Sequence, residues 1–312
     1  MENNDGLVQN SNAEPFDKEK WAKQKREERK VVYQMIDDAA VAAVSNGEKF
    51  QAFLNIQAQF NRYSASNALL IAHQCPDATQ LADFVAWKNT GVHIKKGACA
   101  INLLEPGQEY TNQDGTVKTS YKVKKVFDVS QTTALQKHET LVSHDKKLLL
   151  NALVDHRPCE IEVSDDLPER VNVLYQPADS KIYVRQGTDA EPLFRGLAQE
   201  IAKVHLKQKK LTCCNPAFTA YSVAYVLCRK NQLSCETFRF DRMPAEFGGM
   251  DAKSARQELS TIRRVSNVMI GDMNRVLDTL IGIAVAYAVN AVHIPWRRGE
   301  GRACLCDLSA ID

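Results

Sequence analysis

The stretch Asn112-Gln-Asp-Gly-Thr-Val-Lys-Thr-Ser-Tyr-Lys-Val-Lys-Lys-Val-Phe-Asp-Val129 decides the fold class. Its first four residues are a hairpin turn signal, because Asn, Asp and Gly tolerate the backbone angles a tight turn imposes. Beyond them the pattern has a period of two. Val117, Thr119, Tyr121 and Val123 alternate with Lys118, Ser120, Lys122 and Lys124. That is a strand over residues 116–129 with one apolar face and a ladder of lysines on the other. Residues 98–104 read as its partner, ended by Glu105-Pro106-Gly107 as a turn.

On both sides of this hairpin the period is helical. Val31, Val32, Met35, Ile36 and Ala39 recur at helical spacing, and Asn46-Gly47 supplies a stop. Phe50, Phe53, Leu54 and Phe60 mark a second helix. Ser64 is an N-cap for a third, which carries Leu69, Leu70 and Ile71 up to Cys75-Pro76. Residues 79–90 read as a fourth, burying Leu81, Phe84, Val85 and Trp87 before Gly91. After a linker at 132–137 come a helix with Leu141, Leu148, Leu149, Leu150 and Leu153, a short strand at 160–163, and a hairpin at 171–184 around Pro177-Ala-Asp-Ser180. Helices follow at 191–207, 217–229 and 251–280. Strands and helices are segregated rather than alternating, so the class is α+β. The expected layout is a charged or disordered lead (1–30), a helical and β-hairpin module (31–135), a second α+β domain (136–275) and a tail with an apolar helix (276–312).

Composition excludes several classes. With 312 residues, 44% hydrophobic and 25% charged, the chain is neither mainly disordered, nor collagen-like, nor a multi-span membrane protein. A net charge of +2 leaves any nucleic-acid surface to local clustering. Nine cysteines without paired CxxC knuckles, behind a polar lead lacking an apolar core, imply free thiols in the cytoplasm. The apolar run at 279–292, flanked by Trp296-Arg-Arg298, is shorter than the ~20 residues a membrane helix needs. It reads as a buried or partner-packing helix, and no membrane partner is expected.

Two sets of motifs resemble a known family. Tyr63-Ser-Ala-Ser-Asn67-Ala-Leu-Leu-Ile71, Gln74-x-Pro76-x-Ala78-Thr79, Trp87, Lys95-Lys96-Gly97 and Asp128-Val-Ser-Gln131-Thr132 follow one another in a particular order and spacing. In this they resemble the N-terminal single-stranded-DNA-binding domain of ArdC-type antirestriction proteins, carried by plasmids, phages and conjugative elements. Leu197-Ala-Gln-Glu-Ile-Ala-Lys-Val-His-Leu206, followed by Ala220-Tyr-Ser-Val-Ala-Tyr-Val-Leu-Cys228, is similar to the zincin-like metallopeptidase domain of that family, related to the ImmA/IrrE peptidases. The resemblance implies a DNA-binding first domain, a zincin-like second domain and a role in protecting incoming DNA.

A zincin holds Zn²⁺ with two imidazoles at i and i+4 and activates water with a Glu beside the first. Aligned on the family pattern, Gln199 and Lys203 stand where the histidines belong, Glu200 keeps the place of the general base, and Tyr221 replaces the third ligand. An amide, an ammonium and a phenol of pKa near 10 are poor zinc ligands. His205, five helical steps from Glu200, projects elsewhere. The expectation is therefore a vestigial Glu200 paired with Lys203, no zinc, and no catalysis. The alternatives are a metallopeptidase with a non-standard metal site and a scaffold that binds host or element proteins.

Single-stranded DNA requires cations along the phosphates and flat rings for the bases. Lys95, Lys96, Lys118, Lys122 and Lys124 are the candidate cations, Tyr63 and Trp87 the candidate rings, and Asn67 and Gln131 the candidate hydrogen-bonding groups. Each has a plainer role open to it: Trp87 as core, Tyr63 as a staple before the Ser64 cap, Asn67 as a buried turn or cap, and the lysines as a solvated sheet face.

Overall fold

The computed structural model describes residues 17–112, 114–134 and 145–292, with side chains to residue 279. The expectations for the lead before residue 17, for most of the linker with Leu141, and for Trp296-Arg-Arg298 lie outside the described residues.

Asp17 opens helix α1 (Lys18–Ser45) by accepting from the backbone N–H groups of Glu19 and Lys20. The charged lead and the amphipathic stretch are thus one helix, and the expected boundary at residue 30 falls inside it. Val32, Ile36, Ala40 and Val44 are buried along its later turns. Asn46 ends α1 and caps α2 (Gly47–Gln59) through Lys49 N–H. Ser64 caps α3 (Ala65–Gln74) through Asn67 N–H, as its sequence position predicts.

The helix expected over 79–90 is shorter than the pattern suggests. Leu81–Ala82 form β1, and α4 (Phe84–Asn89) starts only after the Asp83 cap. In one and a half turns α4 buries Trp87 alone, leaving Phe84 and Val85 exposed. Strands β2 (Ile101–Thr111) and β3 (Val117–Asp128) form the long hairpin, and β1 adds to β3 in an antiparallel sheet of order β1-β3-β2. Glu105-Pro106-Gly107 is not a turn: β2 runs through it, with the register shifting between Pro106 and Glu109. A bulge accommodates proline, which has no N–H to give the ladder. The expected apolar face is covered only near its base; Val117 and Tyr121 are exposed because the ribbon outruns the helices.

The second half comprises α5 (Lys146–Asp155), β4 (Ile161–Val163), β5 (Val173–Gln176), β6 (Lys181–Val184), α6 (Ala190–Gln208), α7 (Pro216–Lys230) and α8 (Ala252–Val292). Its sheet has order β4-β6-β5, with β4 parallel and β5 antiparallel to β6. Helix α8 continues past the expected break at 275/276. No helix among the described residues is long and apolar enough to cross a membrane.

The two halves share one buried apolar cluster, running from Val32 to Leu277. Helix α2 packs on α7, and α1 and α3 pack on α8. Tyr225 Oη donates to Asn55 at 2.7 Å and accepts from Gln51 at 3.1 Å, while Arg263 Nε reaches the Tyr63 carbonyl at 2.7 Å. Contact at α2 is so close that a Cβ on Gly47 would lie 2.1 Å from the Phe240 carbonyl oxygen.

Candidate functional site

The motif residues of the first half mostly hold the fold. Strand β2 is an edge strand, so its outward backbone groups need partners from elsewhere. Asn67 provides them at Leu104: its Nδ2 donates to the Leu104 carbonyl and its Oδ1 accepts from Leu104 N–H, both at 2.9 Å. Gln74, seven residues or two helical turns on, does the same at Asn102, accepting at 3.0 Å and donating at 3.1 Å. Asn67 is buried, and its amide is spent inside the molecule rather than offered to a ligand.

A second junction is built around buried Asp128. Its carboxylate accepts from Thr79 N–H (2.8 Å), Gln80 N–H (3.0 Å) and Ser130 N–H (2.9 Å), tying β1 to the end of β3. Burial alone would raise its pKa, but the hydrogen bonds from Ser130, Gln80 and Thr79 outweigh it and hold the carboxyl below its ordinary value. Gln131 completes a capping box, accepting from Asp128 N–H at 2.8 Å and donating to the Cys99 carbonyl at 2.7 Å. Both ends of the half-buried Gln131 amide are therefore engaged within the molecule.

The two expected rings are packed into the molecule to different degrees. Trp87 is 5% exposed and donates Nε1–H to the Phe127 carbonyl at 3.0 Å. Tyr63 is half-buried against Phe60, ring centroids 5.9 Å apart. Among the lysines, Lys124 is claimed by Glu105 at 3.0 Å and Asp83 at 3.4 Å, which offsets its charge. Lys95 is exposed and donates to the Ser130 carbonyl at 2.9 Å, beside Gly97 at φ +85°. Lys96, Lys118 and Lys122 are exposed and, among the described residues, in no ion pair. Tyr33 and Tyr110, which the sequence pattern does not single out, are exposed on α1 and β2, and Tyr121, on the face read as apolar, is exposed as well. The alternation carries no signal of where the core stops along a ribbon.

On α6, Glu200 is buried and pairs with Lys203, Oε1 to Nζ at 2.6 Å, as the three-residue spacing suggests. Its Oε2 accepts from Tyr175 N–H of β5 at 3.1 Å. The Tyr221 hydroxyl accepts from Arg239 N–H at 2.6 Å, and its ring packs on Phe238 with centroids 4.9 Å apart. His205 is buried with Nδ1 lacking a partner among the described residues, its pKa lowered first by burial and then by Lys209. These donors do not fit a divalent cation: both carboxylate oxygens are taken, and an ammonium stands beside the only acid of the motif. Among the described residues, no three His, Cys, Asp or Glu side chains gather as a metal-binding group.

Residues 24–140 match the family model of the N-terminal domain of anti-restriction factor ArdC. An uncharacterized protein of Bacillus anthracis is 31% identical over 87 residues, which are 28% of this chain and 15% of that relative's length. The chain thus covers only a small part of that relative. The Mn(II)-bound crystal structure of the antirestriction ArdC protein from the R388 plasmid aligns with a TM-score of 0.52 at 15% identity, over 77% of this chain and 97% of that one. The same protein's metal-free structure aligns at 0.47 and 13% identity, over 68% and 86%.

Proposed function

We propose that residues 24–140, which match the model of the ArdC N-terminal domain, bind single-stranded DNA for a mobile genetic element, in an antirestriction role. The observation that carries the reading is the set of exposed cations without carboxylate partners among the described residues: Lys96 beside Lys95, and Lys118 with Lys122 on the hairpin. Such lysines can exchange their counterions for phosphates at little cost to the fold. The second half serves this reading as a non-catalytic scaffold, open to host or element proteins. What supports that part is the Glu200–Lys203 pair in place of a metal-ready helix face.

Fluorescence anisotropy with labelled single- and double-stranded oligonucleotides, across a salt series, tests the proposal. Log affinity for the single strand should fall linearly with log salt, by about 0.7 per phosphate contact. Lys95→Ala with Lys96→Ala should weaken binding and flatten that slope. Absence of single-strand binding at low salt would overturn the reading.

A further inference from the structure

With Tyr63 and Trp87 turned into the fold, the flat surfaces open to solvent near the hairpin are other rings. Tyr33 of α1 is 40% exposed, Tyr121 of β3 is 40% exposed and Tyr110 of β2 is 50% exposed. Helix α1 packs across β2 and β3. Tyr121 lies opposite Pro106 and Tyr110 opposite Lys118, both beyond the buried rungs of the ribbon. Tyr33 lies within electrostatic reach of both ribbon phenols, although Tyr110, paired with Lys118, stands on the other face of the ribbon from Tyr121. After burial, Tyr121 and Tyr110 push the Tyr33 phenol pKa up, whereas Arg29 pulls it down. Half-exposed tyrosines where helix α1 meets the ribbon are a costly use of apolar surface unless something covers them.

The approach to this junction is cationic. Successive helical residues advance 100°, so Arg26, Arg29, Lys30 and Tyr33 fall within about 100° of arc on α1, with Glu27 and Glu28 outside it. Among the described residues Arg26, Arg29 and Lys30 enter no ion pair, and Glu28 is held by Lys25 at 2.8 Å. Lys118 and Lys122 rise from the face of the ribbon that carries Tyr110.

We propose that Tyr33 and Tyr121 form a stacking seat for successive unpaired bases, with the phosphates running over Arg26, Arg29 and Lys30. This rests on the DNA-binding reading and divides its labour. The cations supply affinity for any nucleic-acid backbone, whereas the rings need bases whose faces are uncovered. A duplex offers none along its length, so preference for the single strand resides in the tyrosines.

The test uses the full chain, a labelled oligothymidine and a duplex of equal length. Tyr33→Leu with Tyr121→Leu should lower single-strand affinity by about tenfold or more, the scale of lost base–ring stacking, and leave duplex affinity within about twofold. Tyr33→Phe with Tyr121→Phe keeps the rings and should bind like the unaltered protein. Arg26→Ala with Lys30→Ala should weaken both ligands and reduce the single-strand salt slope by about 1.4. Unaltered single-strand binding by the leucine pair, or equal loss on both ligands, would overturn the stacking seat while the DNA-binding reading stood. No single-strand binding by the unaltered protein would remove both. Leucine variants that bind weakly but melt with the phenylalanine pair lose contact rather than fold.

Discussion

Glu200 joins helix to sheet: its Oε1 lies 2.6 Å from Lys203 Nζ one turn along α6, and its Oε2 accepts the Tyr175 N–H of β5 at 3.1 Å. The carboxylate works as a bracket, with the lysine as its fixed counter-charge.

Removing that counter-charge should be felt in stability. Lys203→Met leaves a buried carboxylate without its cation and is expected to cost about 2 kcal/mol, below the fully buried range because the lysine side chain is 29% exposed. Adding Glu200→Gln should restore most of the loss, since an amide oxygen still accepts from Tyr175. Denaturant melts arranged as a double-mutant cycle measure the coupling, and simple additivity would mean the pair does not act as one. In the same melts, excess Zn²⁺ or Mn²⁺ should not raise the midpoint. A metal-induced rise that vanishes in Glu200→Gln would show a cation site here.

Asn67→Leu should strand both backbone groups of Leu104 in the interior. A cost of about 2–3 kcal/mol is expected, because a buried donor and a buried acceptor lose their partners together. Hydrogen exchange separates this from general loosening: the Leu104 amide should exchange much faster, while Asn102, still held by Gln74, changes less.

Asp128 makes stability depend on acid. Its folded pKa lies below the ordinary carboxyl value, so its contribution is complete above roughly pH 4–5 and is lost as pH falls through the folded pKa. Asp128→Asn should be less stable at neutral pH and show a shallower decline of stability from pH 5 to pH 2. Parallel acid limbs for the two proteins would show that the carboxylate gains nothing from its three N–H partners.

The strongly periodic parts of the fold were legible: the stripe on α1, the Ser64 cap, the hairpin at 112–129 and the helices α6 to α8 all follow from spacing. Local chemistry was legible too, as in the Glu200–Lys203 pair, because three residues on a helix are neighbours in any fold. Polar motif residues were not. Asn67 reads equally as a ligand contact or as an internal bracket until its partner, 37 residues away, is known. The joined core escaped notice for the same reason. Tyr225 meets Gln51 across 174 residues, a distance at which no periodicity speaks. The bulge after Pro106 was mistaken for a turn because Pro and Gly serve both.

The brackets formed by Asn67 and Gln74 on β2, and by Glu200 on β5, have a consequence for the molecule in a crowd. An unpaired strand rim is a template on which a neighbouring copy can add its own strand and seed aggregation. At Asn102, Leu104 and Tyr175 those rungs are already occupied by side chains of the same chain. Growth of either sheet from these rungs therefore has to dislodge a helix first.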